Sequence, residues 1–160
     1  VKKDIFDDME TEKNKYLIFS VDSESYGIQI FYITEIIKVI GITKVPDQPN
    51  YVKGIINLRG TIIPVIDARL RFGKAEREYD DRTCIIVINI EELSFGLIVD
   101  HVHEVANIQE GDIAVPPAMN NLNNQTSGFI EGIGKGLDNT WLLIDCEKLL
   151  NSESNKLLEQ

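Results

Sequence analysis

His101, His103 and Glu104 stand within four positions of one another. On an extended strand, residues two apart share a face, so the two imidazoles could help to hold zinc. A zinc site needs three or four ligands with outer hydrogen bonds to orient them, and the sequence offers no third. Asp67 and Asp145 could act as paired carboxylates in acid–base chemistry. Each follows an isoleucine, once in either half, and that repetition suits a structural turn better. Gly132, Gly134 and Gly136 spell G-x-G-x-G without the strand-then-helix setting of a nucleotide loop. Cys84 and Cys146 read as small buried hydrophobes; a disulfide framework would need more cysteines and a secreted setting. One charged residue stands apart from all of these. Arg59 sits in Asn57-Leu58-Arg59-Gly60, between two apolar runs. Asn and Gly supply the backbone angles of a tight turn, so Arg59 is expected at a hairpin tip, facing water and free to meet a partner. Neither a nucleophile nor a phosphate loop accompanies it. The chemistry is that of binding, not catalysis, and no cofactor or metal is expected.

The elements that must hold this tip are short and apolar. Tyr16–Val21 is rich in strand formers, Asp22–Ser25 reads as a turn, and Tyr26-Gly27-Ile28 returns as a second strand. Ile33, Ile36, Ile37 and Ile40 fall at helical offsets, which predicts a helical turn or two over Phe31–Lys38, with most of the stripe in the core. Pro46, Pro49 and Asn50 break the chain before the hairpin. Pro64 lies inside the second arm of that hairpin, which therefore runs at an edge or carries a bulge. In Thr83–Ile90, Ile86, Ile88 and Ile90 share one face while Ile85 and Val87 share the other; both faces read as buried. Leu93–Val99 returns from it. Residues 114–128 form a polar loop, Phe129–Ile133 and Thr140–Asp145 a last strand pair, and Cys146–Leu150 a short helix. Trp141 is expected in the core.

Charge narrows the partners. The chain has 160 residues, 16 basic and 26 acidic, for a net charge of −10. Residues 1–15 carry four lysines and five acids, and residues 151–160 one lysine and two glutamates, so the acidity belongs to the folded part. Such a surface repels nucleic acid and anionic lipid. The longest apolar runs are far too short to span a membrane, and the first residues lack the apolar stretch of a secretory leader. A cytoplasmic protein is expected.

The halves resemble each other at an offset of 69: Tyr26-Gly27-Ile28 aligns with Phe95-Gly96-Leu97, and Glu35-Ile36 with Glu104-Val105. Gly54-Ile55-Ile56 resembles Gly128-Phe129-Ile130, and Ile66-Asp67 resembles Ile144-Asp145. The expectation is a mainly β fold: two five-stranded barrels packed together, with short helices. The barrels correspond to about residues 16–80 and 81–150, between a flexible arm (1–15) and a C-terminal helix or tail (151–160). Closure removes exposed strand edges. Each barrel is too small for a strong core alone, so the two should share apolar surface. If they pack pseudo-symmetrically, Glu35 and Glu104 flank a common groove.

GIINLRGTIIPVIDAR (54–69), YGIQIFYITEIIKV (26–39), FGLIVDHVHEV (95–105) and the LLIDCEKLLNSE ending closely resemble the CheW family of bacterial chemotaxis coupling proteins. The resemblance spans about Tyr16 to Glu153. The NLRG block is shared with the regulatory domain of CheA-type histidine kinases and with CheV-type proteins, but no kinase core or receiver domain accompanies it here, which favours a stand-alone coupling protein. The resemblance implies two SH3-like barrels of five strands each. It implies an adaptor that joins the cytoplasmic tips of methyl-accepting chemoreceptors to the CheA kinase, in arrays at the inner face of the cell membrane. It also implies that Glu35 and Arg59 contact partners, with Ile33, Val99, Val102 and Val105 lining the groove; Tyr51 and Ile55 flank the hairpin. His101 and His103 depart from the family pattern. Rival readings are a coupling protein of a non-motility receptor–kinase pathway and a small metal-binding protein.

Overall fold

The computed structural model describes residues 13–115 and 128–150. Residues 1–12 of the expected arm (1–15), the tail over 151–160 and most of the polar loop (116–127) lie outside the described residues. β-Branched and aromatic residues favour a pleated, half-buried chain, and the apolar runs fold accordingly. The strands are β1 (Lys15–Val21), β2 (Glu24–Gln29), β3 (Ile33–Lys38), β4 (Val52–Leu58), β5 (Thr61–Asp67), β6 (Cys84–Ile90), β7 (Leu93–Val99), β8 (His101–Asn107), β9 (Ile113–Ala114), β10 (Ile130–Lys135) and β11 (Thr140–Ile144). Among the described residues two α-helices, α1 (Ala68–Arg71) and α2 (Cys146–Leu149), each follow a hairpin.

The strands form two sheets, ordered β8-β1-β2-β11-β10-β9 and β3-β6-β7-β5-β4. The two orders superimpose when β1, β2, β3, β4 and β5 are matched with β6, β7, β8, β10 and β11. Each sheet therefore mixes the halves. β1 and β2 take their neighbours from the second half; β6 and β7 take theirs from the first. Division at about residue 80 separates the repeats but not the barrels. Irregularities repeat as well. The ladders skip Thr34 in β3 and His103 in β8, then Lys53 in β4 and Glu131 in β10. The first pair keeps the offset of 69. The second pair, like Asp67 and Asp145, lies 78 apart, so the counterpart of Gly54 is Gly132, not Gly128.

Each sheet bends until its edges meet. Beyond β3 the chain reaches Thr43, which bridges Ile55 on the opposite edge strand. Beyond β8 it reaches β9, which pairs with β10. Pro64 sits just before the β5–β7 ladder begins at Val65, where its missing N–H costs nothing to that ladder, and the bulge lies across from β5 in β4.

Side-chain alternation then assigns three cores. Ile56, Ile63, Val65, Ile85, Val87 and Ile98 fill one barrel. Tyr16, Ile18, Ile108 and Leu143 fill the other, with Trp141 partly buried against them. The opposite faces of the same strands meet between the barrels: Leu17, Phe19, Tyr26 and Ile28 from β1 and β2 against Ile86, Ile88, Phe95 and Leu97 from β6 and β7. This shared layer is the largest of the three, as expected for barrels too small to stand alone.

The helix expected over Phe31–Lys38 is not present. Ile30–Tyr32 makes one 3-10 turn and Ile33–Lys38 is strand β3. Burial alternates from Ile33 onward, with Ile36 and Ile40 outside at 42% and 39% exposure and Ile33 and Ile37 half-buried. The isoleucines lie on both faces of one strand, and that distribution mimics a helical period. Four β-branched residues in a stretch this short also favour the strand.

An ion cluster ties the β1–β2 turn to the end of β7. Arg69, 10% exposed, donates to Asp100 Oδ2 at 2.6 Å and to Asp22 Oδ1 at 3.0 Å. The Asp22 N–H also donates to Asp100 Oδ2 at 2.8 Å. Burial opposes the Arg69 charge, but Asp100 and Asp22 outweigh it and raise its pKa. Removing the cation leaves Asp100 enclosed without its principal partner. Arg69→Met is expected to cost about 3 kcal/mol, measured by urea denaturation; a change below about 0.5 kcal/mol would contradict this.

Candidate functional site

Leu58 and Thr61 form the last rung of the β4–β5 hairpin. Arg59 (φ 50°) and Gly60 (φ 91°) are the two residues between them. Positive φ at both central positions is the signature of the type I′ turn, whose twist matches the strands it joins. Asn57 locks the turn: its Oδ1 accepts the Gly60 N–H at 2.7 Å. Arg59 is thereby held at the tip with its side chain 68% exposed.

It is exposed but not free, which corrects the expectation from sequence. Arg59 Nη2 donates to Glu35 Oε2, and Glu35 is 31% exposed on β3. The pair joins the hairpin tip to the edge strand of the same sheet. Such an exposed pair adds little to stability. Its effect is positional: it fixes a guanidinium, with donors left over, beside a carboxylate on one rim.

The other candidate residues divide. Ile33 on β3 and Val102 on β8 both pack, partly buried, against the shared core. Val105 on β8 is 49% exposed. Ile55 is half-buried at the Thr43 bridge. Val99 is inside the shared core at 1% exposure and offers no surface. Tyr51 lies at the far end of the hairpin from Arg59, because the ladder starts at Val52 and ends at Leu58. There its ring faces the Arg71 guanidinium at 5.3 Å, while Phe129, its counterpart 78 residues on, faces the same guanidinium at 5.0 Å. These two residues build the fold around the site. Glu35 and Glu104 occupy matching places on edge strands of different sheets.

Sequence reasoning passed over two residues. Ile36 follows Glu35 on the outer face of β3. Ile62, three residues past Arg59, is 55% exposed. Reading 33–38 as a strand would have placed Ile36 outward; the alternation Ile62, Ile63 around the tip does the same for Ile62.

The two candidate aspartates are structural. Asp67 and Asp145 cap the helices. Asp67 Oδ1 accepts the Leu70 N–H at 3.3 Å and its Oδ2 the Tyr79 hydroxyl at 2.8 Å. Asp145 Oδ1 accepts the N–H groups of Glu147 and Lys148 at 3.0 and 3.4 Å. Burial pushes the thiols of Cys84 and Cys146 up, which keeps them protonated and weakly nucleophilic. The His101 and His103 rings lie 4.4 Å apart, but among the described residues no group of three or more His, Cys, Asp or Glu side chains is placed to hold a metal ion.

Residues 15–154 match the family model described as the CheW-like domain. The chain is similar to the chemotaxis protein CheW of Klebsiella aerogenes, at 34% identity over 94% of this chain and 89% of the relative. It is also similar to that of Helicobacter pylori, at 37% identity over 87% and 82%. Among solved structures it resembles the scaffolding protein TtCheW from Thermoanaerobacter tengcongensis, with a TM-score of 0.79 and 41% identity over 87% of this chain and 93% of that one.

Proposed function

This chain belongs to the CheW family and is a chemotaxis coupling adaptor, and we propose that it holds the cytoplasmic tip of a methyl-accepting chemoreceptor and the regulatory domain of a CheA-type histidine kinase in fixed geometry, without catalysis of its own. The observation that carries this reading is the Glu35–Arg59 pair. A type I′ turn and an edge strand are locked together so that both charges stand on one exposed rim, with the apolar side chains of Ile36 and Ile62 exposed on the same two elements.

That arrangement suits a helical receptor tip. Helices dock by laying apolar residues against an apolar surface. A rim arginine offers five donors and is over-represented at binding hot spots,, and a rim carboxylate fixes register. Ile33, Val102 and Val105 supply further apolar surface, Val99 supports it from within, and Tyr51 stands half-buried at the far end of the hairpin. No helix among the described residues is long and apolar enough to cross a membrane. The working place proposed is the cytoplasm, at receptor arrays on the inner face of the membrane. Each contact is expected to be modest in area, with avidity supplied by multivalent assembly.

The test is autophosphorylation of the cognate kinase with receptor-bearing membranes, with and without this protein. Output that becomes receptor-dependent only when the protein is present supports the coupling role. Unchanged output with folded protein and cognate partners rejects this pairing and directs the assay to receptor–kinase pairs outside motility.

A further inference from the structure

An open cavity of about 240 Å³ lies away from the Arg59 rim, lined by Ser20, Ser23, Arg77, Asp80, Arg82, Asp100, His101 and His103. Its two carboxylates are already committed. Asp100 accepts from Arg69 and from the Asp22 N–H. Asp80 accepts the Arg82 N–H at 2.8 Å and the Thr83 hydroxyl at 3.3 Å. The basic groups differ. Arg77 is ion-paired with both carboxylates, 3.7 Å from Asp80 and from Asp100. Among the described residues no acidic side chain pairs with the Arg82 guanidinium. Two imidazoles and the hydroxyls of Ser20 and Ser23 complete the lining. In a chain of net charge −10, the cavity's two arginines balance its two aspartates, and Arg82 is the cation left for a further anion.

We propose that this cavity is an oxyanion site, which takes a phosphate or carboxylate group between Arg82, Arg77 and the His101–His103 pair. Arginine forks match both anions, and the hydroxyls can turn to donate. The site is also graded by pH. Burial, then Arg82 and His103, hold the His101 pKa below its ordinary value, while Asp80 acts in the opposite sense. An anion set beside these cations favours the charged imidazole. By linkage, protonation of His101 strengthens anion binding. The other charges near the cavity are Arg69, which is shared between Asp22 and Asp100, and Lys74, 4.0 Å from Asp22; Arg77 supplies the second cation beside Asp100.

The chain has only two histidines, both in this cavity, so their NMR signals report on it alone. The full chain is titrated with inorganic phosphate and, separately, with acetate, at ionic strength held constant with chloride. Saturable shifts of both Cε1–H signals and a raised His101 pKa are expected, and acetate affinity should rise as pH falls from about 8 to about 6. Arg82→Gln, at an exposed position whose backbone bond to Asp80 is kept, should weaken binding about tenfold. Tighter binding of phosphate assigns the site to phosphoryl groups; tighter binding of acetate assigns it to acidic side chains. Shifts that merely follow chloride, or that persist unchanged in folded Arg82→Gln and His103→Gln, overturn the proposal.

Discussion

Gly54→Ala is expected to destabilise the protein by roughly 3 kcal/mol or more, out of a total that for ordinary domains is only about 5–15 kcal/mol. Gly54 has φ 146°, a region that residues with a Cβ rarely adopt. A Cβ there would sit 2.0 Å from the Thr43 carbonyl oxygen and 2.7 Å from its carbon. Those are backbone atoms, and they are committed. The Thr43 N–H donates to the Ile55 carbonyl and the Ile55 N–H to the Thr43 carbonyl, each at 2.9 Å. This bridge is what closes the barrel after β3. Relieving the clash therefore means opening the closure, and with it the strand that carries Glu35. The counterpart Gly132 meets a side chain, Ile113 Cγ2 at 2.7 Å, which can turn away at lower cost. Gly41 meets nothing within 4 Å. Urea midpoints should therefore rank Gly41→Ala near wild type, Gly132→Ala below it and Gly54→Ala lowest or unfolded. A wild-type midpoint for Gly54→Ala would contradict the argument.

The same residue shows where sequence reasoning stopped. The hairpin and its tip were legible because Asn57 and Gly60 are local signals: the turn they specify needs no distant contact. The two-faced burial of Ile85–Ile90 was legible for the same reason, and Asp67 and Asp145 were legible as structural turn residues, though not as the helix caps they are. Exchange of strands between barrels was not, because which strand pairs with β1 or β6 is decided by long-range packing. The apolar pattern of Ile33–Ile40 fits a helix face and a bulged strand alike; only pairing with β6 resolves it. Nor could spacing show that Glu35 reaches Arg59, 24 residues on, since contact depends on barrel closure at Thr43. Val99 shows the reverse error: neighbourhood in sequence to a binding segment does not place a side chain on the surface.

Arg59→Glu is expected to abolish receptor-dependent kinase control while leaving stability nearly intact. The structural side is small because the ion pair is exposed, and its loss is worth at most about 1 kcal/mol. The binding side is large. Reversal removes the donors offered to the partner, places two carboxylates side by side on the rim, and can cost about 2–4 kcal/mol when an anchoring arginine is lost from an interface. At protein concentrations near the dissociation constant, that empties the complex. A charge swap separates two meanings of the pair. If Glu35 and Arg59 serve only to lock the tip to β3, Glu35→Arg with Arg59→Glu should restore both the lock and coupling. If the partner reads the arginine at the tip, the swapped protein should recover a wild-type urea midpoint yet remain uncoupled. The type I′ turn holds residue 59 in place through Asn57 and Gly60 whatever its charge, so geometry survives and only the sign at the tip changes. The second outcome is expected. Normal coupling by a folded Arg59→Glu single variant would remove Arg59 from the interface altogether.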